Sequence, residues 1–126
     1  MSKQIIASGG TNSIRWEIEC SAAEEDGELY TMVRYENEVG DVSKVGFGGP
    51  PLYEDGEPNV YIGRADGLPS VLLARVDSRV SRVRVEFSDG SSVEPPLYRV
   101  DSYPELAFLV TFYPREITPH LTAIKG

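Results

Sequence analysis

The sequence predicts an all-β chain, a single antiparallel β-sandwich with Greek-key connections and about seven to nine strands. Three observations predict it. No stretch long enough for a helix carries the helical period of apolar residues. Segments in which apolar and polar residues alternate recur at short intervals, with Gly, Pro, Asn and Asp between them. The third observation is the stretch from Arg82 to Pro114, which holds a strand, a turn and a doubly apolar segment, the parts of a β core.

In that stretch Val83, Val85 and Phe87 share one face of a strand, and Arg82, Arg84 and Glu86 the other. Parity then selects the turn. A two-residue loop at Asp89-Gly90 would set Val85 against Glu94 and mix the faces. A three-residue loop, Ser88-Asp89-Gly90 with Gly90 left-handed, pairs Val85 with Val93 and Arg84 with Glu94. Pro95-Pro96 then breaks the pairing or runs along a sheet edge before Leu97-Tyr98-Arg99-Val100 resumes it. Glu105 to Tyr113 is apolar on both faces and reads as a strand in the middle of a sheet, covered on both sides.

Taken in order, a short strand leads to a turn at Ser8-Gly9-Gly10-Thr11-Asn12, and Ile14, Trp16, Ile18 and Cys20 form the apolar face of the next strand. Trp16 and Cys20 read as core residues. Ala22 to Glu28 is an acidic turn. Leu29, Thr31, Val33 and Tyr35 line one face of a third strand, and Asp41 to Phe47 forms a fourth. Gly46-Phe47-Gly48-Gly49-Pro50-Pro51 interrupts regular structure; it lacks the Lys-Ser/Thr of a phosphate-binding loop and reads as a bulge or wide loop. Val60 to Gly63, a turn at Asp66-Gly67, Val71 to Val76, and a last strand from Ile117 to Ile124 with Pro119 marking an edge complete the pattern.

The 126 residues fit one domain spanning 1–126. One cysteine excludes an internal disulfide, and one histidine, His120, leaves the usual zinc ligand sets incomplete, so no cofactor or metal is expected. His120 has no serine or carboxylate at a recognisable spacing and reads as structural or exposed. No signal-like or membrane-spanning run is present, and the chain as written is expected to be soluble and cytoplasmic. The net charge is −8, and residues 1–63 carry 4 Lys/Arg against 12 Asp/Glu. Such acidity repels phosphate backbones and anionic membranes, so neither nucleic-acid binding nor direct membrane insertion is expected. The acidic runs Glu24-Glu25-Asp26-Gly27-Glu28 and Glu54-Asp55-Gly56-Glu57 lack the ligand spacing of a calcium loop; only their meeting at one end of a sandwich would make a weak site.

Several motifs together resemble an uncharacterised family of immunoglobulin-like sandwich domains common in actinobacterial proteins. They are Ile14-Arg15-Trp16-Glu17, Gly46-Phe47-Gly48-Gly49, Tyr61-Ile62-Gly63-Arg64, Val80 to Phe87 with Asp89-Gly90, and Leu121 to Gly126. The resemblance implies an immunoglobulin-like fold and carries no chemistry with it. From the residues alone the leading function is a non-catalytic interaction or structural module for an unidentified protein partner. Edge strands would also admit a homo-oligomer. The expected contact surface is the basic outer face formed by Arg82 and Arg84 with Arg75 and Arg99. The alternatives are a carbohydrate-binding module using Tyr53, Tyr61, Tyr98 and Tyr103, and a small carboxylate-based hydrolase.

Overall fold

The computed structural model describes residues 3–11, 13–22, 27–52 and 56–125. Within them the chain is all-β, with no helix and ten strands: β1 (Lys3–Gly10), β2 (Ile14–Ala22), β3 (Leu29–Asn37), β4 (Val42–Phe47), β5 (Asn59–Gly63), β6 (Ser70–Asp77), β7 (Val80–Phe87), β8 (Ser92–Val93), β9 (Leu106–Tyr113) and β10 (Pro119–Lys125). They form three antiparallel sheets, in the orders β1-β2-β3-β4, β5-β6-β9 and β10-β7-β8.

The sheet β5-β6-β9 is the middle layer, and the two-residue alternation of its strands shows why. On one face Val71, Leu73, Leu106, Phe108 and Val110 pack with Ile14, Ile18, Val33 and Tyr35 of the four-stranded sheet. On the other, Leu72, Ala74, Val76, Ala107 and Leu109 pack with Val80, Val83, Val85 and Phe87 of β7. A strand that serves two cores has no polar face to offer, which accounts for the unbroken apolar runs in β6 and β9. The strand in the middle of this sheet is β6. β9 is covered on both faces as expected, but beside it on the side away from β6 stands a single bridge, Tyr98 to Phe108.

β6 and β7 are joined at Ser78-Arg79 yet belong to different sheets, as do β9 and β10. At the first corner Arg99 donates to the carbonyls of Ser78 (2.7 Å) and Val80 (2.8 Å), and the Asp77 carboxylate accepts from the backbone N–H of Arg79 (2.9 Å) and from its guanidinium. The arms of the 88–90 turn pair as parity requires: Val85 faces Val93, the Gly90 N–H bonds the Phe87 carbonyl at 2.9 Å, and Gly90 has φ of 90°. The ladder stops before Arg84 and Glu94 come into register.

The expected turn at Ser8-Gly9-Gly10 is instead the end of β1, because Gly9 pairs with Trp16 and the indole lies over it. A Cβ on Gly9 would come within 2.7 Å of that ring. Gly46 and Gly48 play the same part in and just beyond β4, where they leave room for Met32 and Tyr30 of β3. No bulge is needed there.

Candidate functional site

The most developed concavity is an open cleft of about 690 Å³, within the size range of ligand sites. The β1–β2 turn supplies Gly10, Thr11 and Ser13, and β2 supplies Trp16. The last four residues of β9, Val110 to Tyr113, form its floor, and Val93-Glu94-Pro95-Pro96 with Tyr98 form the far wall. Trp16 therefore does two things: it packs on the first core and presents part of its indole to the cleft. Tyr98 meets that indole edge-on at 5.5 Å, and Phe112 leans on the buried Tyr35 at 5.1 Å. Aromatic rings anchored from behind lose little freedom when they meet a ligand.

The polar groups of the lining are few. Thr11, Ser13, Tyr98, Thr111 and Tyr113 bring hydroxyls, and among the described residues Glu94 is the one charged side chain of the lining, on the exposed rim with Arg82 at 3.5 Å. A lining of rings and prolines with one carboxylate provides contact area and orientation; among the described residues it brings together no second acid facing Glu94.

The four arginines expected to form a contact surface do not share one. Arg75 must be corrected outright. It is fully buried on the first-core face of β6, donating to the carbonyls of Leu29 (2.8 Å) and Pro50 (2.9 Å) and to the Thr31 hydroxyl (2.8 Å), with its guanidinium over the Phe47 ring. Its parity on β6 put it there: it alternates with Leu72 and Ala74, which face the other core, and stands beside Asn59 in β5. Arg82 and Arg84 are exposed, but Glu94 and Glu86 stand beside them, so the outer face of β7 carries both signs of charge. Arg99 is turned to the Ser78–Val80 corner.

The tyrosines considered for sugar stacking are dispersed. Tyr61 stacks on Phe47, Tyr103 meets Phe108 edge-on, and Tyr98 alone of the described three lines the cleft. Tyr53 lies outside the described residues, as do Glu24, Glu25, Asp26, Glu54 and Asp55 of the acidic runs considered for calcium. Among the described residues no cluster of three or more His, Cys, Asp or Glu is placed to hold a metal ion, and no helix is long and apolar enough to cross a membrane.

His120 is exposed on β10 opposite Glu86. Cys20 is sealed in the core; burial pushes its thiol pKa up, against the hydrogen-bonded Thr31 hydroxyl 3.1 Å away and the nearby charge of Arg75. A thiol kept protonated is a poor nucleophile. On the outer face of the four-stranded sheet, Glu19 sits between Lys3 (3.3 Å) and Lys44. Burial acts to raise its pKa, but the hydrogen bonds and charges of the two lysines outweigh it and hold the carboxyl below its ordinary value.

Sequence reasoning missed the cleft, whose walls come from segments far apart in the chain. The signal that was present is Pro95-Pro96, which ends a ladder and leaves the edge beside it open. Compared with known proteins, the chain matches no family model, and no curated protein or solved structure is significantly similar to it.

Proposed function

We propose that this chain is a non-catalytic recognition module that binds a protein partner through the cleft between Trp16 and the Pro95-Pro96 wall. The observation that carries the reading is the lining: anchored aromatic rings and prolines with, among the described residues, a single carboxylate. Such surfaces gain affinity from desolvating large flat rings, the pattern of peptide-recognition grooves. A two-carboxylate hydrolase would need a second acid across the cleft from Glu94, and a sugar platform would gather the tyrosines that here stand apart. The finer fold assignment, an immunoglobulin-like Greek-key sandwich related to the actinobacterial family, belongs to the same proposal. The non-sequential pairings β6 with β9 and β7 with β10 support it, while the third sheet is an addition to that two-sheet layout.

The test is selection from a phage-displayed library of random dodecapeptides on the immobilised chain, run beside a glycan array and repeated with Tyr98→Ala. Peptides enriched by the native chain and lost with the variant are the expected result. Glycan binding without peptide enrichment would transfer the site to carbohydrate. Silence in both would overturn the cleft as a recognition site.

A further inference from the structure

The floor of the cleft is a strand edge, and its hydrogen-bonding groups are aimed into it. In an antiparallel strand the N–H and C=O of alternate residues point to opposite neighbours. Phe108 exchanges both of its bonds with Tyr98, at 2.9 and 2.8 Å, on the side away from β6. Val110 and Phe112 share the parity of Phe108, so their backbone groups point to that side as well. Among the described residues neither group is bonded there: the bridge at Tyr98 is isolated, and no further backbone bond continues it.

Register explains the vacancy. Tyr98 faces Phe108, so positions 96 and 94 would face Val110 and Phe112 if the ladder ran on. Position 96 is a proline, which has no N–H to give, and the chain is drawn away toward β8. Two adjacent bonding positions, about 7 Å apart along β9, are left beside a wall of proline and aromatic rings.

Resting on the reading of the cleft as a protein-recognition site, we infer that its occupant is an extended peptide segment of a partner protein that adds to the free edge of β9 as a further antiparallel strand. The added strand takes the place the chain's own residues 94–96 leave empty and bonds the main chain of Val110 and Phe112. Every second side chain of such a strand falls on the first-core face of β9, where Trp16, Tyr98 and Phe112 provide apolar contact. The neighbouring strand edges are less suited to this. β10 opens with Pro119, and β1 is irregular between Ile5 and Ala7. Charge sets the polarity of the segment. Among the described residues Glu94 is the one charged side chain of the lining, and the net charge is −8, so the segment is neutral or basic, free of Asp and Glu over the bonded stretch.

The experiment uses the intact chain and the tightest dodecapeptide from the library selection, made synthetically with single N-methyl groups at successive backbone positions. Strand addition predicts an alternating scan: N-methylation at the residues facing Val110 and Phe112 weakens binding about tenfold, and at the residues between them changes it little. Hydrogen exchange of the Val110 and Phe112 amides slows in the complex, and Asp or Glu in the bonded stretch lowers affinity. A peptide that binds the cleft with a flat N-methyl scan and unprotected amides overturns strand addition and leaves the recognition site standing. Failure of any peptide to bind overturns both. Protection of the two amides by concentration-dependent dimerisation, without peptide, would assign the edge to a second copy of the chain and overturn the partner segment.

Discussion

The guanidinium of Arg75 lies 4.4 Å from the centroid of the Phe47 ring, in the interior between the middle sheet and the four-stranded one. From there it holds two separate pieces of chain through three acceptors: the start of β3, at the Leu29 carbonyl and the Thr31 hydroxyl, and the Pro50 carbonyl beyond β4. Asn59, its cross-strand neighbour, grips the same segment through the carbonyls of Pro50 (2.7 Å) and Pro51 (3.2 Å). Removing the arginine would take its donors from three buried acceptors and leave the space of its side chain unfilled, although Asn59 still bonds the Pro50 carbonyl and Cys20 the Thr31 hydroxyl. Arg75→Ala is therefore expected to cost about 3 to 5 kcal/mol in guanidinium unfolding. Arg75→Lys should recover only part of that, because one ammonium cannot span a fork of three acceptors. A loss under ~1 kcal/mol for the alanine variant would contradict a structural role for this charge.

Gly46 and Gly48 look alike in sequence but should respond differently to substitution. A Cβ at position 46 would run into the Thr31 carbonyl oxygen and the Met32 Cα, both backbone, whereas one at 48 would meet only the Tyr30 ring. Main chain within a paired ladder cannot step aside, while an exposed tyrosine can swing away. Gly46→Ala is expected to lose about 2 kcal/mol or more, and Gly48→Ala to stay within about 0.5 kcal/mol of the native chain. Equal effects at the two sites would contradict this account of the motif.

These residues also mark the boundary of what was legible beforehand. Alternation along β2, β3 and β7 and the parity of the 88–90 turn are local, and so strand faces and register could be read from them. The middle sheet was not legible, because an apolar run tells that a strand is covered twice but not by what. Arg75 failed for the same reason: a basic residue at the end of an apolar run looks like the return to solvent, and the carbonyls of Leu29 and Pro50 and the Thr31 hydroxyl that make its burial tolerable are distant in the chain. Phe112 reads as core by composition, yet its ring is half-buried at the cleft, while Phe108 is fully sealed. The cleft itself depends on the approach of the β1–β2 turn, β9 and the Pro95-Pro96 segment, and no local pattern encodes that meeting.

Acid should weaken the fold through two carboxylates. Glu19 is held below its ordinary value of 4.5 between Lys3 and Lys44 despite its burial. Asp77 is lowered from 3.8 to about 2, first by the side-chain bond from Arg79 and then by that residue's backbone N–H. A carboxyl depressed in the folded state adds stability that is present in full above its unfolded value and is lost as pH falls through the folded one. Unfolding free energy is thus expected to hold above about pH 4.5 and to decline below it, with the contribution of Asp77 fading between 3.8 and about 2. Glu19→Gln should flatten the upper part of that decline. In carbon-detected NMR titration of native protein, an Asp77 midpoint near its ordinary value would count against the turn geometry.

The single tryptophan gives the cleft its own reporter. Trp16 lies over Gly9 and meets Tyr98 edge-on, so a methyl group at position 9, placed 2.7 Å from the ring, has to push the indole toward the opening. Position 10 lacks this constraint, since a Cβ there would approach nothing nearer than 3.4 Å, the Ile14 carbonyl oxygen. Gly9→Ala is expected to shift the fluorescence emission to longer wavelength as the indole gains water, to cost about 1 to 3 kcal/mol of stability, and to weaken any peptide bound in the cleft. Gly10→Ala should leave the emission spectrum unchanged. If the two substitutions behaved alike, the indole would not be resting on Gly9, and the wall that Trp16 and Tyr98 build together would have to be redrawn.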